Sequence, residues 1–164
     1  MDILTALKTR RSVRTFKDQP VEEDKIKELI DAARLAPSGR NFQPVEYVVV
    51  TEQSKREELA RLATYGKFIK DAPVCIAVFS KICDHDVEDG SAATENILLA
   101  AHGLGLASCW VAGYNKDYAE DVRKLLQVPE DYCLISLLPV GYSDSKPRPK
   151  NKRKLEEVLH WEEF

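Results

Sequence analysis

The chain has 164 residues and a formal net charge of −3, with 44% of its residues hydrophobic and 31% charged. A chain of this length builds its own core as one domain, without disulfide staples, and its acidic balance speaks against a general nucleic-acid binder. The four cysteines, Cys75, Cys83, Cys109 and Cys133, form no C-x-x-C pair, and three lie in apolar runs. That pattern fits a reducing cytosol better than a bridged secreted scaffold.

The N-terminal MDILTALKTRR lacks the apolar core and small-residue cleavage site of a signal peptide. It predicts a short helix with Asp2 as N-cap and Ile3, Leu4 and Leu7 on one face. A second helix follows in EEDKIKELIDAARLAPSG, where Ile26, Leu29, Ile30 and Ala33 recur at helical spacing and Pro37-Ser38-Gly39 stops it. The β-branched VEYVVVT (45–51) predicts a strand. SKREELARLATY opens on a capping box, Ser54 with Glu57, and predicts a helix.

APVCIAVFS (72–80) predicts a buried strand, and DGSAATENILLAAHGLG an apolar helix closed by Gly103 and Gly105. LASCWVAG (106–113) predicts a strand, DYAEDVRKLLQ (117–127) a helix capped by Asp117, and CLISLLPVGY (133–142) the last strand. No Asp, Glu, Lys or Arg falls between Asn96 and Asn115, but glycines interrupt that stretch. It is read as helix, turn and strand rather than a membrane span. Alternating strands and helices, taken alone, suggest a parallel α/β sheet. After Tyr142 the chain becomes a proline-rich basic tail, with six cations in the nine residues from Lys146 to Lys154.

Three segments carry candidate chemistry. In TRRSVRTF (9–16), an extended backbone would turn Arg10, Ser12 and Arg14 to one side and Arg11 to the other. A kinked turn would gather all three arginines, whose guanidiniums bind phosphate in a planar fork. The plain alternative is a solvated basic helix end. APSGRNFQP (36–44) offers backbone amides and the carboxamides of Asn41 and Gln43 to a polar heterocycle, or is simply a connector. SCWVAG (108–113) ends on Ala112-Gly113, where a ligand can approach the backbone.

GLGLAS (103–108) imitates a dinucleotide fingerprint, but it follows a helix and precedes a strand, the reverse of the required order. Cys83, Asp84, His85 and Asp86 are adjacent, and adjacent residues rarely converge on one metal ion. His102 and His160 read as packing or surface residues. The basic tail is either solvated or folds back to share one phosphate with the N-terminal arginines.

Taken together, RRSVRTF, AARLAPSGRNFQPVEYVVV, ATENILLAAHGLGLASCWVAGY, LPVGY and PKNKRKLEEVLHW resemble the FMN-dependent nitroreductase family, in the family's order and over most of the chain. The resemblance implies an α+β fold, a central mostly antiparallel sheet surrounded by helices, in an intertwined homodimer with FMN at the interface. It implies a flavin-binding domain over residues 1–142 and a tail, 143–164, that docks on the partner subunit. Arg10 and Ser12 would hold the phosphate and ribityl chain with Arg11 alongside, and Arg14 would approach the pyrimidine side of the ring. Pro37, Ser38, Gly39 and Asn41 would contact the flavin from the other subunit.

Val111, Ala112 and Gly113 would lie along the flavin, with a backbone N–H near N5. Lys150 and Lys152 would hold the phosphate, with Arg153 a one-residue alternative. The implied activity is ping-pong transfer from NAD(P)H through flavin N5 to a small organic acceptor, with no side-chain nucleophile. A cytoplasmic enzyme is expected, with neither nucleic acid nor membrane as partner. A flavin store or sensor without turnover is the other reading. Two departures, Val45 where the family often has an aromatic and a short segment between Phe79 and Ala92, imply an open pocket. They leave nitroaromatics, quinones, enones and dehalogenation all open as acceptor chemistry.

Overall fold

The computed structural model describes residues 1–149 and 151–164. Five helices, α1 (Ile3–Thr9), α2 (Glu23–Arg34), α3 (Gln53–Leu62), α4 (Asp86–Gly103) and α5 (Ala119–Leu125), surround five strands. The strands are β1 (Val45–Val50), β2 (Val74–Lys81), β3 (Ala107–Ser108), β4 (Val111–Ala112) and β5 (Tyr132–Gly141). The sheet order is β1-β2-β5-β3, with β4 also on β5, and these four pairings are antiparallel. This corrects the parallel arrangement suggested by alternation. A buried apolar run such as β2 records coverage on both faces, not direction.

Coverage on both faces produces two cores. Val74, Ile76 and Val78 of β2 pack with α2 and α4 through Leu29, Ala33, Ile97 and Leu98. The alternate residues Cys75, Ala77 and Phe79 pack with α3 and α5 through Leu59, Ala60 and Val122. On β5 the alternation breaks: Val78 pairs with Ser136 but Phe79 with Leu134, so Ile135 bulges out of register. The extra residue reverses which side chains face which core. Leu138, Val140 and Ile135 therefore share one core, while Leu134 and Leu137 share the other.

Several local expectations are also corrected. The Ser54–Glu57 capping box does not form. α3 starts at Gln53, so Ser54 lies inside the first turn, where its hydroxyl donates to Glu52 Oε1 at 2.5 Å. Asp117 does not cap α5, which begins at Ala119 after a turn. The strand predicted over 106–113 is two short pieces. The Asp2 cap is present, with its carboxylate accepting from the Thr5 amide at 3.1 Å. The α4 helix ends at Gly103, and Gly105 takes φ +76°, which glycine adopts without strain.

No helix among the described residues is long and apolar enough to cross a membrane. The apolar face of α1 is not buried in its own chain: Ile3 and Leu4 are each 61% exposed and Leu7 52%. Leu155, Val158, Leu159 and Trp161 of the tail are exposed as well.

Candidate active site

α1 stops at Thr9, and the backbone turns extended at Arg10. Residues 10–14 then run beside β3: Ser12 bridges Ser108 in parallel, and the Val13 amide donates to the Ser108 carbonyl at 2.9 Å. Val13 is buried, so the alternate side chains of Ser12 and Arg14 face outward. Arg10, Arg11, Ser12 and Arg14 line one open cleft of about 470 Å³ together with Pro147, Arg148 and Lys152. Arg10 and Arg11 also border a second hollow of about 440 Å³ that includes His102, Ser108 and Lys146.

The cations of the cleft are not equivalent. Arg11 Nη1 donates to the carbonyls of Lys8 and Arg10 at 2.8 and 2.7 Å, capping the end of α1. Arg10 Nε lies 3.6 Å from Glu95 Oε1, a loose and partly exposed pair that leaves most of its charge available. Arg14 is exposed, its guanidinium 5.8 Å from the centre of the Phe68 ring. Arg153 donates to the Glu157 carbonyl and pairs loosely with its carboxylate at 3.6 Å, and of the two tail alternatives Lys152 lines the cleft. The expectation for Lys150 lies outside the described residues.

His102, at the end of α4, shares a 2.8 Å hydrogen bond with Thr9 Oγ1, whose own proton goes to the Thr5 carbonyl. The imidazole therefore donates to Thr9. Burial lowers the His102 pKa from its ordinary value, and the charges of Arg10 and Arg11 lower it further. Three thiols are held protonated: burial pushes Cys75 up to about 12, and burial with the Asp86 carboxylate pushes Cys133 up to about 12. Cys109 is raised by burial too. None of these three is poised as a nucleophile.

Further along the same edge, the Cys109 and Gly113 amides donate to Pro139 and Ile135 of β5. By the two-residue period, the Ala112 amide points away from β5. Ala112 is exposed, whereas Val111 and Gly113 are buried. Of these three residues, Ala112 is the exposed one whose N–H faces away from the sheet. The Tyr118 hydroxyl donates to the Ala112 carbonyl and fixes that turn of chain. Sequence reasoning missed Tyr118, because nothing in DYAEDV marks a tyrosine that reaches back six residues.

The 36–44 loop lies elsewhere. Its backbone amides are not open as expected: those of Asn41, Phe42 and Gln43 bond within the loop, to Ser38 O, Gly39 O and Ser38 Oγ. The Gly39 amide bonds Asp89 at 3.0 Å. A tight turn closes its own donors, leaving side chains such as that of Asn41 to face outward. The loop lines two small cavities of about 130 and 160 Å³, neither of which includes a residue of the arginine cleft. Among the described residues, no three His, Cys, Asp or Glu side chains group so as to hold a metal ion.

Comparison with known proteins gives this geometry a family. The nitroreductase family matches residues 7–66 and 61–142. A protein of Methanothermobacter thermautotrophicus, provisionally named an NADH dehydrogenase/NAD(P)H nitroreductase, is 40% identical over 153 residues, covering 90% of this chain and 80% of its own. An iodotyrosine deiodinase of Thermotoga neapolitana is 32% identical over 89% of this chain and 90% of its own. The solved structure of an FMN-dependent nitroreductase from Clostridium difficile superposes with a TM-score of 0.91 at 34% identity, covering 98% of this chain and 99% of that one. Matched from its N-terminal arginines to its last strand, the chain belongs to the nitroreductase family.

Proposed function

We propose that the protein holds FMN in the arginine cleft and uses it to pass reducing equivalents from NAD(P)H to a small organic acceptor. The observation that carries this reading is the convergence of Arg10, Arg11, Ser12, Arg14 and Lys152 on one cleft, beside an edge where Ala112 turns an amide outward. The residues fit the cofactor. A phosphate monoester carries a charge near −2, matched by arginines and a lysine, and the cleft volume falls within the range of small-molecule sites.

When bound, FMN supplies hydride chemistry at N5. The protein's part is to anchor, orient and polarise. Arg10, Ser12 and Lys152 hold the phosphate and ribityl chain, while Arg11 secures the end of α1 beneath them. Ala112 directs its N–H at N5, in an orientation kept by Tyr118. Arg14 places a fixed positive charge where the reduced ring carries negative charge. Pro37, Ser38, Gly39 and Asn41 reach the flavin of the partner subunit in a homodimer, which accounts for their separation from the cleft within one chain. Donor and acceptor use one open face in turn, a ping-pong order.

The four cysteines are free thiols, which supports a reducing compartment such as the cytoplasm. Val45 borders the 130 Å³ cavity beside Pro37 and Ser38, where a larger aromatic would take up that room.

FMN titration of the apoprotein tests the assignment of the cations. Arg10→Ala is expected to weaken FMN binding by roughly ten- to a hundredfold, the loss of a charge-assisted hydrogen bond. Arg14→Ala is expected to lower the flavin reduction potential more than Arg10→Ala does. Unchanged affinity in Arg10→Ala would remove that residue from the phosphate site.

A further inference from the structure

Asp89 is a buried carboxylate in the first turn of α4, 6% exposed. Among the described residues no basic side chain pairs with it. Both of its oxygens lie near one donor, the Gly39 amide, at 3.0 and 3.3 Å. It also forms the wall between the two small cavities under the loop, one lined by Pro37, Ser38 and Gln43 and the other by Gly39, Arg40 and Phe42.

That loop is strained. Arg40, Asn41 and Gln43 take φ of 51°, 56° and 53°, the left-handed region that side chains other than glycine rarely enter. Such a turn persists only where its surroundings over-determine it. Here the surroundings come from α4. Asp89 binds the Gly39 amide, and His85 packs so closely that a Cβ on Gly39 would lie 2.5 Å from its Cδ2. The first turn of α4 favours the buried carboxylate of Asp89, and the Gly39 amide supplies its hydrogen bond. The turn begins at Gly39, so fixing this one amide fixes where Ser38 and Asn41 point.

We infer that Asp89 is a positioning residue for the flavin. By accepting the Gly39 N–H it holds the 37–43 turn in its strained form and aims the loop at the isoalloxazine ring. The inference rests on the flavin reading above, and on the loop being one of the surfaces that meet the cofactor. The role belongs to the acceptor geometry of Asp89 rather than to its charge, so an amide can replace it and a longer or shorter side chain cannot.

The test is FMN titration of Asp89→Ala, Asp89→Asn and Asp89→Glu apoproteins, with visible-region circular dichroism of the bound flavin at saturation. Asp89→Ala is expected to weaken FMN binding by about tenfold or more, because the turn loses the acceptor that holds it. Its flavin dichroism should change as well, a signal that a general loss of stability would not move in protein that is still folded and saturated. Asp89→Asn should stay within about threefold of wild type on the same scale and restore the dichroism.

Should Asp89→Ala fail to fold, Asp89→Glu carries the same expectation of loss, because its carboxylate sits one methylene too far out. Wild-type affinity and dichroism in both Asp89→Ala and Asp89→Glu would overturn the inference, as would equal losses in Asp89→Asn and Asp89→Ala. Wild-type protein that takes up no FMN would overturn the flavin reading itself, and this inference with it.

Discussion

At the scale of single residues, the site depends on how neighbouring charges divide their work. Arg11 lines the same cleft as Arg10, Ser12 and Arg14 rather than facing away from them, but the outward turn of Ser12 and Arg14 about buried Val13 was legible, because an extended segment after a helix has a period of two. The use of Arg11 on the α1 carbonyls was not, since it depends on where the helix stops. Asp89 and Tyr118 were hidden for a different reason: each acts on a backbone atom, Gly39 N and Ala112 O, and no residue type marks a backbone partner.

His102 provides a residue-scale prediction. Its pKa lies below the ordinary 6.5, first through burial and then through Arg10 and Arg11. The unfolded chain therefore binds the proton more readily than the folded one. This contribution to stability is complete above pH 6.5 and is lost as pH falls through the lower folded value. A phosphate on Arg10, close to Arg11, would offset the charge of both, so the His102 midpoint followed by NMR should rise when FMN binds. A midpoint that stays or falls on saturation with FMN would contradict the phosphate position.

At the scale of elements, strand and helix identities were readable from periodicity, whereas the antiparallel strand direction came only with the family resemblance. The apolar periodicity of α2 and the unbroken apolar run of β2 were both visible in the sequence. The Ile135 bulge was not, because CLISLLPVGY reads as a plain buried strand whichever residue is extra. Yet the bulge shapes the site: the Ile135 carbonyl receives the amides of both Gly113 and Tyr114, ending β4 where the flavin edge is expected. Gly113 fits there because it lacks a Cβ, which would lie 2.5 Å from Leu134 Cγ and 3.1 Å from the Ile135 carbonyl carbon. Gly113→Ala should therefore destabilise the protein by about 1–3 kcal/mol through overpacking. It should also weaken FMN binding by displacing Ala112. Wild-type unfolding and wild-type FMN affinity in this variant would show that the end of β4 has room to move.

At the scale of the whole molecule, one chain leaves its work half covered. Trp161 is 78% exposed, and the outer face of α1 presents Ile3, Leu4 and Leu7 to solvent. Apolar surface of this kind is what the proposed homodimer would cover. The tail composition speaks against a core of its own in 143–164, and the docking proposed for it on a partner subunit is not written in its residues. The proposed homodimer would bring the 37–43 loop of one subunit to the arginine cleft of the other. Sedimentation should therefore give a species of twice the 18.6 kDa chain mass. A stable monomer with full FMN occupancy would contradict the shared site.

The central claim is that the arginine cleft holds FMN for turnover with a nicotinamide. Anaerobic addition of NADH or NADPH to the FMN-loaded protein tests it most directly. The account predicts that the oxidised flavin absorbance bleaches with at least one of the two and returns when an organic acceptor such as a quinone is added. Bound FMN that neither nicotinamide reduces would contradict it.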